Sequence, residues 1–426
     1  MLGILRRLVD ALAARLTSAA LAVAVGEPLF WLFGFRRAGP PRTEEVRSIL
    51  VVRLDHIGDT VLTTPLLREL RHGVPRAEIT LVVPPVAKEL FEACPHVDEV
   101  LSYDPRMTGQ FPLVRRHWRA LVLAARYLWR KRIELALMPR FSRDRYHALF
   151  VSYFSGAAQR VAYEQSRNDA GARADFHHLT TRGLAGREGT RHEVLRNMEF
   201  LERLGLEPVD RGLELWTREE DLDRLTEEFT FRGIPLEPFV AVAPGAGERR
   251  KMWPVENYCA LVPLLVNRLG VPILVVGDST EWPLGEQVSA VDRNRVFNVC
   301  GALTLRSLAV LLDRCDLFVG NDSGPKHIAA ARGVPIVEIS LHPENGPANH
   351  AKSPERFGPW GVSHRVCRPQ VPVPPCKETC AALEAHCIRS VSVADVMSAV
   401  DSLVVEEDLV SSSMLIDPVR GGGSAA

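Results

Sequence analysis

A chain of 426 residues, 46% hydrophobic and 24% charged, has room for two or three domains that each bury a core, which excludes a small disulfide-stapled module and a disordered tract. The 52 Lys and Arg balance the 52 Asp and Glu, so no global field directs the chain to nucleic acid, and affinity for phosphates must come from local clusters. Eight cysteines in so long a chain do not make a secreted disulfide scaffold.

Residues 1–45 form an apolar extension fringed by Arg6, Arg7, Arg15, Arg36 and Arg37. The stretch 16–35 nears spanning length, but Glu27 and Pro28 interrupt it and no small-residue cleavage site follows, so neither a membrane-spanning helix nor a signal peptide is expected. Two readings stand: a membrane-surface anchor, or helices that cover the protein's own surface. From Arg47 onward, short branched apolar runs alternate with longer amphipathic ones. Residues 48–53, 79–83, 99–103 and 134–138 are predicted strands, with helices at 59–72, 85–94 and 113–132. Helices at 192–206 and 218–232 follow, joined through 213–216, and a Pro-rich hinge at 235–238 marks the change of domain. The alternation then restarts, with strands at 239–243, 272–276, 295–299, 316–320 and 335–339 and helices at 255–269, 282–291, 305–314 and 323–332. This is an α/β chain with two Rossmann-like doubly wound domains, 46–216 and 217–405, followed by a flexible tail at 406–426 that ends in Gly, Ser and Ala.

Ligands of such sheets bind outside the carboxyl ends of the strands, so the residues just after each strand are the place to look for chemistry. After the first strand come Arg53, His56, Gly58 and Asp59, with Thr63 before the next helical run. Gly58 permits a tight turn, and Asp59 stands at a helix start, where it is either a cap or a group facing the crevice. The first strand of the second half ends in Gly245, Ala246 and Gly247, followed by the cations Arg249, Arg250 and Lys251. Exposed amides beside cations suit an anion, although a solvated basic turn has the same composition. A third strand end carries Asp322, Ser323, Gly324, Lys326 and His327 at the start of a helix, whose free N–H groups are suited to a diphosphate. Two anion-suited loops in one domain point to a nucleotide diphosphate. No P-loop and no dinucleotide-binding glycine fingerprint is present in these places. Asp221 and Asp223 lie in a polar helical stretch and read as solvated surface.

These motifs resemble the heptosyltransferases of glycosyltransferase family 9, lipopolysaccharide-core type. The matching runs are ILVVRLDHIGDTVLTTP (49–65), APGA (243–246) with KMWP (251–254), GNDSGPKHIAAA (320–331) and SPERFGPW (353–360). The resemblance covers about 47–403. It implies a GT-B architecture, two Rossmann-like domains facing a central cleft, the first binding the acceptor, the second the nucleotide sugar, with a final helix crossing back. It makes Asp59 the general base, with Arg53, His56 and Thr63 toward the acceptor, and Lys251 the cation that stabilises the leaving ADP. Gly245, Ala246, Gly247, Asp322, Ser323, Gly324, Lys326 and His327 would line the donor pocket, with Glu281 as a candidate for the ribose. The implied reaction is inverting, needs no cofactor and no catalytic metal, and moves a heptose from ADP-heptose to a hydroxyl of a lipopolysaccharide-core-like glycolipid. The implied setting is the cytoplasm, at the cytoplasmic face of the inner membrane, with a nucleotide sugar and a glycolipid as partners and no nucleic acid. Alternatives are a transferase of the same fold using another nucleotide sugar for a different surface glycan, and a non-catalytic GT-B scaffold.

Lys326 and the extension 1–45 depart from the family pattern, and two further features stand beside it. Lys326 stands where an apolar residue is expected, as an extra cation beside the phosphates. The predicted helix 113–132 carries Arg115, Arg116, Arg119, Arg126, Arg130, Lys131 and Arg132 with Trp118 and Trp129, and reads either as a face for an anionic membrane or as a solvated helix. Cys367, Cys376, Cys380 and Cys387 cluster without paired Cys-x-x-Cys knuckles, which leaves a structural metal cluster, reduced thiols and a disulfide open.

Overall fold

A computed structural model describes residues 18–35, 45–106, 112–167, 176–236 and 238–407. The ends of the extension and the tail beyond 407 lie outside the described residues. The chain divides into two units. The first is drawn from Met1–Leu222, Leu305–Ala309 and Ala348–Trp360, the second from Asp223–Thr304, Val310–Pro347 and Gly361–Ala426.

The first unit is built on a parallel sheet of β1 (Ser48–Val52), β2 (Glu78–Val83), β3 (Glu99–Ser102), β4 (Leu135–Met138), β5 (Gln159–Tyr163) and β6 (Arg182–Leu184), in the order β3-β2-β1-β4-β5-β6. Ile49 lies in register with Ile79 on one side and Leu135 on the other. The central strands are buried on both faces, which is why β1 and β4 read as unbroken apolar runs. The second unit holds β7 (Phe239–Ala243), β8 (Ile273–Val275), β9 (Val296–Asn298), β10 (Cys315–Asn321), β11 (Ile336–Ile339) and β12 (His364–Cys367), in the order β12-β11-β10-β7-β8-β9. Renumbered from its own first strand, this is the same topology. In each sheet the strand order reverses direction between the first and fourth strands, β1/β4 and β7/β10, and the crevice beyond their carboxyl ends is the switch point where doubly wound folds bind ligands.

Strands β5, β6 and β12 escaped the apolar-run reading. β5 carries the buried Arg160, β6 is three residues long, and β12 is an edge strand, so none presents the continuous apolar run of a central strand. The helix Ala148–Phe154 also escaped it: every residue is buried, so its sequence has no polar face to show a period. Prediction of one helix over 113–132 holds for its first part, Pro112–Leu123; the rest winds as a π-turn, Ala124–Leu128, and a 3₁₀ turn, Trp129–Lys131, ending at Arg132 in a left-handed conformation (φ 48°). Ala120, Ala124 and Leu128 face the core, Trp129 donates to the Phe154 carbonyl at 2.9 Å, and Lys131 pairs with Glu99 at 2.8 Å. Asp221 is not solvated surface. It is fully buried, and both its carboxylate oxygens accept from Arg306 Nε, at 3.1 and 3.0 Å.

The helix Ser18–Leu32 lies on the first unit through Phe30, whose ring meets Tyr153 edge-on at 5.3 Å, while Glu27 accepts the Tyr153 hydroxyl proton at 2.8 Å. Glu27, which interrupts the apolar stretch, is thus a packing partner. Among the described residues no helix is long and apolar enough to cross a membrane. The final helix, Val393–Glu406, is closed at its start by a capping box between Ser392 and Asp395 and packs on β11, β12 and the helix Val255–Leu269 of the second unit.

Candidate functional site

In the first unit the chain leaves β1 at Arg53 and enters the short helix Ile57–Val61, which carries Asp59 in its first turn. Arg53 is 1% exposed and bridges three carboxylates: Nε meets Asp55 at 2.7 Å, and Nη2 meets Asp59 at 3.3 Å and Glu193 at 3.1 Å. Arg140, two residues beyond β4, pairs with the other oxygen of Asp55. Glu193 in turn holds Arg356 at 3.2 Å. Asp59 alone of these carboxylates is partly open to solvent, its side chain 13% exposed. Burial, and then the neighbouring Asp55 carboxylate, push its pKa up against the pull of Arg53 and Arg140. A basic, oriented and accessible carboxylate is what a general base requires.

His56 and Thr63 are placed differently. His56 is exposed and its Nε2 lies 2.9 Å from the Tyr146 hydroxyl, on the open side of the cluster. Thr63 is buried and its hydroxyl donates to the Asp59 carbonyl at 2.8 Å, so it fixes the turn that presents Asp59 and does not face a ligand. Arg53 likewise lies beneath Asp59 as its orienting partner. Arg140 stands just past the end of β4, where the strand-end rule points, whereas Glu193 and Arg356 carry no local signal, since only the fold brings residues so far apart in sequence together.

In the second unit two strand ends converge. Lys251 closes a 3₁₀ turn, Arg249–Lys251, and its ammonium meets Asp322 Oδ2 at 2.7 Å. Asn321, the last residue of β10, accepts from the Trp253 N–H at 3.0 Å and donates to the Pro244 carbonyl at 2.7 Å, locking the β7 loop to the β10 loop. Burial would raise the Asp322 carboxyl, but the ammonium groups of Lys251 and Lys326 overrule it and hold it well below the usual carboxylate range. Ser323 caps the helix Gly324–Ala331 without bonding its amides, and its buried hydroxyl oxygen has no hydrogen-bond partner. A helix start with an unsatisfied hydroxyl beside a lysine is a cradle for an anion.

Lys326 does not join that cradle. Its side chain is wholly buried, with Nζ 2.8 Å from Asp322 and 3.0 Å from Glu338 on β11, so the extra cation holds the floor of the site. Its apolar stem and paired head replace an apolar residue only because Glu338 stands opposite. Gly245 and Gly277 flank Glu281: a Cβ on Gly245 would lie 1.7 Å from Glu281 Oε1, and one on Gly277 2.5 Å from Oε2. The Glu281 carboxylate accepts from the Asp278 N–H at 2.9 Å, and burial pushes its pKa up. It thus stands at the carboxyl ends of β7 and β8, beside the anion cradle. Gly247 has open space around it, Ala246 is half-buried, and His327 is buried one turn into the helix.

Each unit thus gathers polar groups beyond the carboxyl ends of its central strands, Asp59 in the first and Lys251, Asp322 and Ser323 in the second. The profile of glycosyltransferase family 9 (heptosyltransferase) matches residues 148–386, and the chain belongs to that family and is a glycosyltransferase. A relative in Haemophilus influenzae, the lipopolysaccharide core heptosyltransferase OpsX, is 21% identical over 302 residues, 70% of this chain and 80% of its own. Among solved structures, a family 9 glycosyltransferase from Veillonella parvula superposes with a TM-score of 0.66 at 21% identity, over 87% of this chain and 100% of that one. The E. coli heptosyltransferase WaaC with ADP-2-deoxy-2-fluoro heptose gives 0.59 at 16% identity, over 84% and 99%. These likenesses confirm the doubly wound α/β fold.

Proposed function

We propose that this glycosyltransferase moves a heptose from ADP-heptose to a hydroxyl of a lipopolysaccharide-core glycolipid, with inversion at the sugar carbon. The observation that carries the reading is the Lys251–Asp322 pair beside the orphaned Ser323 hydroxyl, at the switch point of the second sheet. Asp322 holds the lysine in place, and an ammonium has three donors, so one N–H remains for a phosphate oxygen. As the bond between sugar and diphosphate breaks, negative charge grows on the leaving ADP, where Lys251 and the helix amides of 324 and 326–327 meet it. Glu281 would take a ribose hydroxyl. In the first unit, Asp59 accepts the proton from the acceptor hydroxyl, whose oxygen attacks the anomeric carbon, and His56, Tyr146 and Arg140 offer polar groups to the acceptor around it. By name OpsX is a lipopolysaccharide core heptosyltransferase, and WaaC is a heptosyltransferase seen with ADP-2-deoxy-2-fluoro heptose.

The setting we propose is the cytoplasmic face of the inner membrane. Trp31 and Leu32 at the end of the helix Ser18–Leu32 are exposed, as is Trp118 on the arginine-rich helix, and aromatic side chains among arginines suit an anionic lipid surface. Because Phe30 is buried, Trp31→Ser tests this contact better than deletion of the segment; unchanged sedimentation with anionic vesicles refutes it. For the transfer itself, calorimetric titration with ADP, UDP and GDP is the test. ADP should bind selectively and Lys251→Ala should weaken it at least tenfold. Preference for UDP or GDP moves the donor to another nucleotide sugar, and loss of nucleotide binding altogether returns the scaffold reading.

A further inference from the structure

After β12, residues 368–386 have neither helix nor strand and lead into the 3₁₀ turn Cys387–Ser390, yet this stretch and the start of the turn converge three thiols and an imidazole. The ligand atoms of Cys376, Cys380, His386 and Cys387 all lie within 4.8 Å of one another. Cys367, grouped with them by sequence, stands apart at the end of β12, where its thiol points to the Asp395 carbonyl at 3.7 Å. His386 takes its place. We propose that Cys376, Cys380, His386 and Cys387 bind a single zinc ion as a tetrahedral Cys3His site.

The distances fit the ion. With Zn–S of about 2.3 Å and Zn–N of about 2.05 Å at a tetrahedral angle, a sulfur and a nitrogen on one zinc stand about 3.6 Å apart. His386 Nδ1 lies 3.6 Å from Cys376 Sγ and 3.5 Å from Cys387 Sγ. The Ala381 N–H points at Cys376 Sγ from 3.4 Å, a donor directed at sulfur of the kind that supports a thiolate ligand. All eight cysteines are free thiols, and a disulfide within the group would join two sulfurs and strand the third with the imidazole. Three soft thiolates and one imidazole with tetrahedral spacing select zinc over the oxygen-seeking cations. On binding, the thiols release their protons to solvent.

The ion would act on the donor site without touching it. The Cys380 carbonyl accepts from Arg250 at 3.4 Å, Glu384 pairs with Arg249 at 3.3 Å, and the Val391 carbonyl accepts from the Trp253 ring N–H at 2.9 Å. The metal loop is therefore the wall on which the 249–253 segment rests, and that segment ends its turn at Lys251. Zinc replaces the missing secondary structure of this wall.

Metal content of the full-length protein, purified without added metal and dialysed against a mild chelator, is the direct test and needs neither donor nor acceptor. About one zinc per chain is expected, retained in Cys367→Ser and lost in Cys376→Ser, and refilling with Co²⁺ should give the intense visible bands of a tetrahedral thiolate site. Circular dichroism of each variant checks that it is folded. A folded wild-type protein with reduced thiols and no stoichiometric metal overturns the site, as does loss of zinc from Cys367→Ser but not Cys376→Ser. Stoichiometric iron overturns the choice of ion, and a disulfide detected by mass overturns the proposal outright. Stripping the ion should lower the melting temperature and, if the nucleotide reading is right, weaken ADP binding; failure of that reading leaves metal content unchanged.

Discussion

Replacing Lys326 by methionine separates a cation that holds the floor of the site from one that meets phosphate. The side chain is wholly buried, and its ammonium lies between Asp322 at 2.8 Å and Glu338 at 3.0 Å, the latter carboxylate itself 1% exposed. Methionine keeps the volume and removes the charge. Asp322 retains Lys251 at 2.7 Å, whereas Glu338 is left as a buried carboxylate whose cation has gone. Breaking a buried pair from one side costs about 3–5 kcal/mol, which in a unit of this size lowers the melting temperature by about 10 °C. Removing the second charge as well, in Lys326→Met with Glu338→Leu, should recover most of that loss, since a buried pair and a well-packed apolar pair differ little. Thermal unfolding of the four proteins of this cycle, followed by circular dichroism, gives the coupling directly. A Lys326→Met protein that melts within about 2 °C of the parent while its ADP affinity falls tenfold would refute the reasoning and return the ammonium to the phosphates.

Three further outcomes are expected. Asp59→Asn should lower kcat/KM by about 10²–10⁴; because burial raises the pKa of Asp59, the acid limb of wild-type kcat/KM should lie above the ordinary aspartate value of about 4, and a profile flat down to that pH rules out Asp59 as the base. Glu193, buried between Arg53 and Arg356, has its carboxyl held below the usual value because those guanidiniums outweigh the effect of burial. Its stabilising contribution is therefore full above the unfolded value of about 4.3 and is lost as pH falls through the folded one, so the stability gap to Glu193→Gln, about 3 kcal/mol at neutral pH, should shrink in acid urea titrations. Gly245→Ala would drive a Cβ into the Glu281 carboxylate, so ADP affinity in isothermal titration should fall about tenfold with little change in melting temperature; unchanged affinity removes Glu281 from the nucleotide site.

What the sequence disclosed follows from where the physics is local. A central parallel strand is buried on both faces and so writes itself as an apolar run, and the loop after it is where ligands of such sheets bind; β1, β7 and β10 and their loops were legible on that ground, whereas the roles of Asp59, Lys251 and Asp322 within them rested on the resemblance. The same rule, applied to β4, points to Arg140. Charge, by contrast, is read from sequence as surface until a partner is known. Lys326 was expected beside the phosphates and Asp221 in solvent, and both are buried, because Glu338 stands twelve residues beyond the first and Arg306 eighty-five beyond the second. Thr63 shows the converse case, a polar side chain in a functional motif whose hydroxyl serves the backbone. The proposed metal loop joins these two lessons: its cysteines were visible as a cluster, but only the fold could exchange Cys367 for His386, since β12 carries the one away and the 3₁₀ turn Cys387–Ser390, with His386 at its start, brings the other in. Spacing identifies ligands when the loop is short and regular. Where a 19-residue segment without helix or strand and the turn after it supply them, the identity of the fourth ligand is a tertiary fact.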